Sequence, residues 1–319
     1  MHSFYFIGDL HINDINPRSR IDDFSSTILN KLEEVFEKAR VNNIEAIFFL
    51  GDIFHKPSGL STKYINKVIE TFQKSPCDCY TIIGNHDIPF NKINEVDNTS
   101  LGILFKSKAL IHLDEYKVLG NNKVLVAVKG FDYNNDISGI DKENDYPSIC
   151  LSHSYGEDVS FGVVDKPEYF KWSTECKKPY DYYILGHDHS YHPNKKIYDN
   201  SIIYRLGALS RITSTPSDTE RKIQILELTV TEEELKFEPV EIQYIKSEEC
   251  FSSQSLNKTT VIKDIDFNES LEDILENLNF SVQSSIFDII DSMELDDDII
   301  QTLETYLKNN FIVRKDSNG

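Results

Sequence analysis

FYFIGDLH, residues 4–11, is a short apolar run that ends in a glycine and an aspartate, with a histidine two positions further on. The same phrase returns as IFFLGD at 47–52, YTIIGN at 80–85 and YYILGH at 182–187, and SICLSH at 148–153 is a looser copy with serine in the place of glycine. Such short runs of Ile, Phe, Tyr and Leu are typical of strands buried on both faces. The phrases therefore predict buried strands, each with a polar residue at its carboxyl end.

Amphipathic segments separate the first three phrases. In FSSTILNKLEEVFEKARVNN, residues 24–43, apolar residues recur at helical spacing, and YINKVIETFQK, residues 64–74, has the same periodicity. The order strand, helix, strand, helix, strand predicts an α/β fold whose sheet carries helices on both faces. Ligands of such sheets gather beyond the carboxyl ends of the strands. We therefore expect one shared site that collects the polar residues of all the phrases.

The later part of the chain is organised differently. From about residue 109, segments such as KVLVAVKGF, KIQILELTV and KFEPVEIQYI predict strands of a second sheet packed on the first. Beyond residue 246, SEECFSSQSLNK is typical of a loop, TTVIKDIDF of a strand and ESLEDILENL of a helix, and two short amphipathic helices follow. We expect a main domain over 1–245, a small α+β capping module over 246–283 and a C-terminal helical segment over 284–319.

The net charge and the cysteine content limit the classes of protein to which this chain can belong. The net charge is -20, but residues 231–319 alone hold 21 Asp and Glu against 7 Lys and Arg, so the acid excess is mostly C-terminal and does not exclude a nucleic-acid substrate. Five cysteines without a CxxC pair argue against a secreted disulfide scaffold. Neither a signal peptide nor a membrane-spanning run is present in the sequence. We expect a cytoplasmic protein that does not bind a membrane.

The polar residues that follow the predicted strands are of the types that commonly bind metal ions. With the residues that follow each strand, the motifs are GDLH, GDIFH, GNHD, LSH and GHDH, and they contain six of the nine histidines together with Asp9, Asp52 and Asn85. Two cations about 3.5 to 4 Å apart need a bridging carboxylate, for which Asp52 is the candidate. These five motifs contain no cysteine, which argues against structural zinc and favours Mn, Fe or another metal suited to mixed carboxylate and imidazole ligands. Taken alone, DxH or GNHD could be an ordinary turn; their combination predicts a metal centre.

In this order and spacing, GDLH, GDIFH, GNHD, LSH and GHDH resemble the motifs of the calcineurin-like metallophosphoesterases over roughly residues 1–230. The resemblance implies a two-sheet α/β sandwich flanked by helices, with a dinuclear metal centre. It also implies one metal held by Asp9, His11, Asp52 and His189, and a second held by Asp52, Asn85, His153 and His187.

Two finer features resemble the SbcD and MRE-eleven class of DNA-repair nucleases, in a short form similar to phage proteins. His55 follows Asp52 by three residues, and LGALSRITSTPSD follows GHDH, although Ala208 replaces the usual serine. The resemblance implies two Mn ions, a double-strand exonuclease and single-strand endonuclease activity on DNA, and an SbcC-like SMC-family ATPase as partner. It also implies a homodimer, for which residues 88–106 are the candidate surface, in the cytoplasm of a bacterium or phage-infected host.

Within this resemblance, three residues receive catalytic roles. His86, oriented by Asp87, would donate a proton to the leaving oxygen, and His55 would position the strand end. The alternatives are a hydrogen-bonded structural imidazole for His86 and a helix-entry histidine for His55. For the whole chain, a stand-alone phosphatase or cyclic-nucleotide phosphodiesterase is the alternative activity, and a non-catalytic scaffold is a third. The apolar stripes of residues 284–319 would bind the ATPase or pack on the protein's own cap.

Overall fold

The structure, a computed structural model, describes residues 1–17, 19–121, 124–133, 135, 137, 146–156, 169–170, 180–189, 192–198, 201–214 and 216–252. One compact unit contains Met1–Asn16, Asp23–Arg211 and Glu220–Ile245, and a second contains Pro17–Asp22, Ile212–Thr219 and the segment from Lys246. Residues 253–283 of the predicted capping module and the helical segment predicted over 284–319 lie outside the described residues.

The helices are α1 (Phe24–Val41), α2 (Thr62–Phe72), α3 (Ser100–Lys106), α4 (Pro216–Glu220) and α5 (Ser247–Cys250). Short 3-10 turns occupy Asn85–Asp87, Pro89–Asn91 and Ile93–Asn98. The strands are β1 (His2–Ile7), β2 (Ala46–Phe49), β3 (Asp78–Thr81), β4 (Ile111–His112), β5 (Lys117–Asn121), β6 (Val124–Phe131), β7 (Ser148–His153), β8 (Tyr155–Gly156), β9 (Tyr169–Phe170), β10 (Tyr182–Gly186), β11 (His192–Tyr198), β12 (Ser201–Arg205), β13 (Gln224–Val230) and β14 (Leu235–Glu241). SEEC, predicted as part of a loop, is therefore a helical turn.

Two six-stranded sheets form the first unit. The first has the order β14-β13-β1-β2-β3-β4 and the second has the order β11-β12-β10-β7-β6-β5. In the first sheet, β1, β2, β3 and β4 are parallel, and β13 and β14 add an antiparallel edge. In the second sheet, β12, β10, β7 and β6 are parallel, and β11 and β5 are antiparallel edge strands. The predicted α/β class with two sheets is confirmed. The assignment of KIQILELTV and KFEPVEIQYI to the second sheet is wrong, because β13 pairs with β1 and carries β14 into the first sheet.

The core lies in layers on the two faces of the first sheet. Side chains alternate along β1, so that Tyr5 and Ile7 pack with α1 and α2, whereas Phe4 and Phe6 pack with apolar residues of the second sheet. Helices therefore cover one face of the first sheet, and the second sheet covers the other. The predicted helices on both faces do not occur there, because the apolar faces of the two sheets bury each other.

Helix α1 begins where its sequence provides a cap. The Asp23 carboxylate accepts the backbone N–H of Ser26 at 3.1 Å, which satisfies one of the free N–H groups of the first turn. Its buried stripe includes Ile28, Leu32 and Val35, as the helical spacing predicts. Among the described residues, every helix is too short or too polar to cross a lipid bilayer.

Candidate metal centre

The loops after β1 and β2 are joined by backbone hydrogen bonds. The N–H groups of Leu10 and His11 both donate to the carbonyl of Asp52, at 3.0 and 2.9 Å, and Ile12 N–H donates to Ile53 O at 2.9 Å. Both His11 and Asp52 adopt the left-handed conformation, with φ of 50° and 47°. Such strain at non-glycine residues persists only where the surroundings fix it, and it clusters at functional sites.

Four predicted ligands form a first cluster, in which the potential ligand atoms all lie within 4.8 Å of one another: Asp9, His11, Asp52 and His189. His11 Nε2 lies 2.8 Å from His189 Nε2 and 3.6 Å from Asp52 Oδ2. His189 Nε2 is 3.6 Å from Asp9 Oδ2. Two ring nitrogens and two carboxylate oxygens therefore converge on one point, which is the geometry that a single cation requires.

A second cluster shares Asp52 with the first. Ligand atoms of Asp52, His153 and His187 also lie within 4.8 Å of one another. His153 Nε2 is 3.3 Å from Asp52 Oδ2 and 3.0 Å from Asn85 Oδ1, which brings the predicted amide ligand to the same place. All seven predicted metal ligands are thus in two groups that share Asp52.

Two cations fit these groups. The Oδ2 atoms of Asp9 and Asp52 are buried and have no hydrogen-bond partner among the described residues. An unpaired buried carboxylate oxygen is costly, and a cation would satisfy both oxygens. Carboxylate, amide and imidazole donors suit a divalent transition metal. The residues present therefore fit a dinuclear centre of the kind that the sequence predicts.

Electrostatics link Asp52 to His153. Burial raises the pKa of Asp52, but the charges of His153 and His86 outweigh it and hold this pKa well below the usual value. Burial lowers the pKa of His153, yet the charges of Asp52 and Asp9 raise it to about 9. His153 must lose this proton to act as a ligand, so we expect proton release when metal binds.

The other buried ligands respond mainly to desolvation. Burial raises the pKa of Asp9 to about 6, against the lowering effect of the His153 charge. Burial lowers the pKa of His11 well below its usual value, and the charge of His189 adds to this. Burial and the charge of His153 lower the pKa of His187 in the same way. His11 and His187 are therefore neutral imidazoles, the form that binds a metal.

The glycines of the phrases let the loops approach one another. A Cβ on Gly84 would lie 2.1 Å from Asp52 Oδ1 and 2.3 Å from the Asp52 backbone nitrogen. Gly51 has φ of +86°, and a Cβ there would lie 2.8 Å from His153 Nδ1. Glycine at these two positions therefore allows the loops to pack closely around Asp52, where a larger residue would clash.

The three predicted catalytic residues are also at this site. His55 and His86 have stacked rings, with centroids 5.5 Å apart, and together with His11 they bring ring nitrogens within 4.8 Å of one another. The N–H of His86 donates to Asp52 Oδ1 at 2.9 Å. The structure thus places His55 and His86 beside the first cluster and outside both four-residue ligand sets.

The orientation of His86 differs from the prediction. His86 Nδ1 lies 2.9 Å from the carbonyl of His55, which fixes the ring. Asp87 instead accepts the N–H groups of Phe54 and Gly84, each at 3.0 Å, and is completely buried. Its carboxylate closes the turn Asn85–Asp87 rather than orienting His86. Burial raises the pKa of Asp87 to about 7, and the charge of Asp52 adds to this.

The sequence analysis missed two residues at the exit of β6. The Tyr133 ring packs against two predicted ligands, with centroids 6.1 Å from His153 and 5.8 Å from His187. Asp132 Oδ1 accepts the N–H of Ile83 at 2.8 Å and ties this strand to the first sheet. The sequence contains the same pattern that identified the other site residues, because the apolar strand KVLVAVKGF is followed directly by Asp132 and Tyr133.

Comparison with known families gives one match. A sequence profile described as calcineurin-like phosphoesterase matches residues 2–191, which contain both ligand clusters and the His55–His86 pair. No curated protein matches the chain.

Solved structures include distant likenesses. A Staphylococcus aureus protein assigned as a 5′-nucleotidase, in complex with alpha-ketoglutarate, is 15% identical over 82% of this chain, with a TM-score of 0.47, and the likeness covers 58% of that protein's own length. A dimetal phosphatase from Danio rerio is 12% identical over 77% of this chain and 99% of its own, with a TM-score of 0.49. An archaeal phosphodiesterase is 14% identical over 75% and 99%, with a TM-score of 0.37.

Proposed function

The chain belongs to the calcineurin-like phosphoesterase family of metal-dependent hydrolases, and from this premise we propose that it is a Mn-dependent DNA nuclease. The observation that supports the proposal is the stacked pair His55 and His86, whose centroids are 5.5 Å apart beside the first ligand cluster. Two imidazoles outside the ligand sets provide polar groups for a substrate that extends beyond the reacting phosphate. A phosphodiester with a chain on either side is such a substrate.

The chemistry follows from the arrangement of these side chains. Two divalent cations at the clusters would neutralise the charge of the phosphodiester and lower the pKa of water. His86 is held through Nδ1 by the His55 carbonyl, and the proposal gives Nε2 the contact with the substrate. As an imidazolium, His86 gives its Nε2 proton to the sugar oxygen as the phosphorus–oxygen bond breaks. General acid catalysis of this kind contributes about 10² to 10⁴ in rate.

The partners belong to the same proposal. The nuclease would act on double-stranded ends and on single-stranded DNA as the subunit of an SbcCD-like repair complex in the cytoplasm. Residues 284–319 would bind the SMC-family ATPase, and residues 88–106 would form the homodimer surface. The second candidate, a stand-alone phosphatase or cyclic-nucleotide phosphodiesterase, uses the same metal clusters and is equally compatible with the family.

Substrate preference tests the proposal. Linear DNA, p-nitrophenyl phosphate and bis-p-nitrophenyl phosphate are each offered with Mn and with Mg. We expect cleavage of DNA and of the diester with Mn, and little hydrolysis of the monoester. Fast hydrolysis of the monoester without DNA cleavage would instead establish the phosphatase.

Two variants then separate the roles of the paired histidines. We expect His86→Ser to keep two metals and DNA affinity while turnover falls about a hundredfold or more. His55→Ser should impair cleavage of double-stranded ends more than cleavage of single-stranded DNA. His2→Ser, at the opposite end of β1, serves as the control. Loss of metal from His86→Ser would contradict its proposed role as a proton donor.

A further inference from the structure

Phe90 is an exposed aromatic residue on a strained backbone, and neither ligand cluster uses it. Its φ and ψ are 53° and 32°, and 71% of its surface is accessible. The left-handed conformation is an outlier for a bulky residue and points to a functional constraint. Five other described non-glycine residues have positive φ: Asn43 and Lys108 lie just after the ends of α1 and α3, whereas His11, Asp52 and His187 are predicted metal ligands. Phe90 lies inside the turn Pro89–Asn91 and shares the strain of the predicted ligands without their role.

The backbone of Phe90 is tied to that of the proposed proton donor His86. Phe90 follows His86 by four residues, and four residues span at most about 14 Å even when fully extended. Between them, Ile88 is 2% exposed and anchors the segment in the core. The exposed ring is therefore held close to the proposed proton donor. Successive nucleotides of a substrate strand would extend over this distance.

Positive charge accompanies the ring. Lys92 Nζ lies 5.9 Å from the centroid of the Phe90 ring, over one face. Lys56, which is exposed, directly follows His55. Neither lysine forms an ion pair with any residue that the structure describes. In a chain with net charge -20, uncompensated cations beside the site favour an anionic ligand.

We propose that Phe90 and Lys92 form a nucleotide-binding element, in which the ring stacks on an unpaired base and Lys92 neutralises a phosphate of the same strand. Lys92 covers one ring face, which leaves the other face for the base. Aromatic rings and cations together are the usual means of binding single strands without reading sequence. The proposal rests on the proposed nuclease function and narrows its substrate to strands with an unpaired base near the scissile bond. It assigns Phe90 and Lys92 to the substrate and takes these two residues out of the homodimer surface proposed for residues 88–106.

The test compares oligothymidylate with an abasic oligonucleotide of the same length. KM is measured with Mn, and Kd is measured by fluorescence anisotropy in EDTA, so that binding is observed without cleavage. For the wild type we expect both constants to be about tenfold lower for oligothymidylate. Phe90→Asn should bring this ratio towards one, because asparagine tolerates the left-handed backbone and removes the ring. Phe90→Tyr should keep the ratio, as should the control Val118→Asn, another exposed apolar residue on β5.

Each outcome decides the proposal. An unchanged ratio in Phe90→Asn would overturn it, as would equal weakening with both oligonucleotides. A change of molecular mass between wild type and Phe90→Asn in sedimentation would assign the ring to a protein contact instead. If the wild type cleaves neither oligonucleotide but hydrolyses small esters, the nuclease function fails. The anisotropy ratio then still decides whether Phe90 binds a base.

Discussion

The two sheets contribute to the metal centre in different ways. Beyond β1 and β2, the loops of the first sheet continue as a hydrogen-bonded pair, and the side chains of Asp9, His11 and Asp52 are at most 1% exposed. The second sheet brings its histidines to this pair of loops. His153 Nδ1 lies 2.7 Å from Leu50 O, the His187 N–H donates to Asp9 Oδ1 at 3.2 Å, and the His189 side chain is 29% exposed.

We call the hydrogen-bonded loops after β1 and β2, which carry Asp9, His11 and Asp52, the frame. The second sheet, which carries His153, His187 and His189, is the docked side. The first sheet fixes the bridging carboxylate with its own backbone, whereas the second sheet supplies imidazoles to a position that is already formed. Damage to the frame should therefore remove both metals, and damage on the docked side should remove one. The variants below test this division.

The largest effect is expected for Asp52→Asn. The carboxylate belongs to both clusters, so its replacement removes the charge that two cations would share. The lost charge stabilisation amounts to several kcal/mol, which is equivalent to a decrease in turnover of about a thousandfold. We expect both metals to be lost, as measured by elemental analysis, together with activity.

His189→Ala is the matched comparison on the docked side. His189 belongs only to the first cluster. We expect one metal to remain, with the affinity of the second site retained in calorimetry. Loss of both metals from His189→Ala, or retention of both by Asp52→Asn, would break the division between frame and docked side.

Gly84→Ala should have the next largest effect. The new Cβ would lie 2.1 Å from Asp52 Oδ1, so the bridging carboxylate must move. We expect metal affinity to fall about 10- to 100-fold, the range found when groups that orient ligands are changed. Ser152→Ala, at the equivalent place in SICLSH, is the control and should bind metal normally. Unchanged affinity in Gly84→Ala would show that the frame is less rigid than its hydrogen bonds indicate.

Asp87→Asn separates stability from chemistry within the frame. The carboxylate accepts two N–H groups, and an amide would turn a donor towards one of them. Such a mismatch costs about 1–3 kcal/mol, which lowers Tm by about 2–10 °C. We expect both metals to be retained and turnover per metal-loaded enzyme to be near normal. The exposed Asp78→Asn is the control. A collapse of turnover at full metal occupancy would restore the predicted role of Asp87 beside His86.

The smallest effect concerns an ion pair between the two sheets that includes none of the predicted metal ligands. His112 of β4 lies 3.0 Å from both oxygens of Asp132. Burial lowers the pKa of His112, but the hydrogen bond and charge of Asp132 outweigh it, so the folded pKa is raised. The resulting stability is fully present below the unfolded pKa of about 6.5 and is lost as pH rises through the folded pKa.

His112→Gln should therefore be less stable than the wild type at pH 6, by about 1 kcal/mol. The difference should shrink at alkaline pH. Thermal unfolding of both proteins in a chelator, at several pH values, measures it. A constant difference at all pH values would mean that the pair acts through packing rather than charge.

The local sequence pattern was sufficient to predict those residues of the site that directly follow strands. Asp9, Asp52 and His187 could be identified because each ends an apolar run, and parallel strands bring their carboxyl ends to one edge. The left-handed backbone of these loops was signalled only by the neighbouring glycines. The Asp87 contacts could not be predicted, because a carboxylate that closes a turn has the same sequence as one that orients a histidine.

Long-range pairing accounts for the error in the fold. The alternation in β13 predicts a strand but carries no information about its neighbour, and β1 lies more than 200 positions away. The helices were placed on both faces of one sheet because the βαβ pattern does not distinguish a helix layer from a second sheet as the cover. Both faces of a buried strand are equally apolar.

The pairing of β13 with β1 also has a consequence during synthesis. Strand β1 can pair with β2 early, but its other edge is filled only when Gln224–Val230 leave the ribosome. At about 5–20 residues per second, residues 50–223 take roughly 10–35 s to add. During that time the unpaired backbone N–H and C=O groups of this edge are open to pairing with another nascent chain. A chain that stops before residue 224 would keep this edge permanently, and we expect it to aggregate.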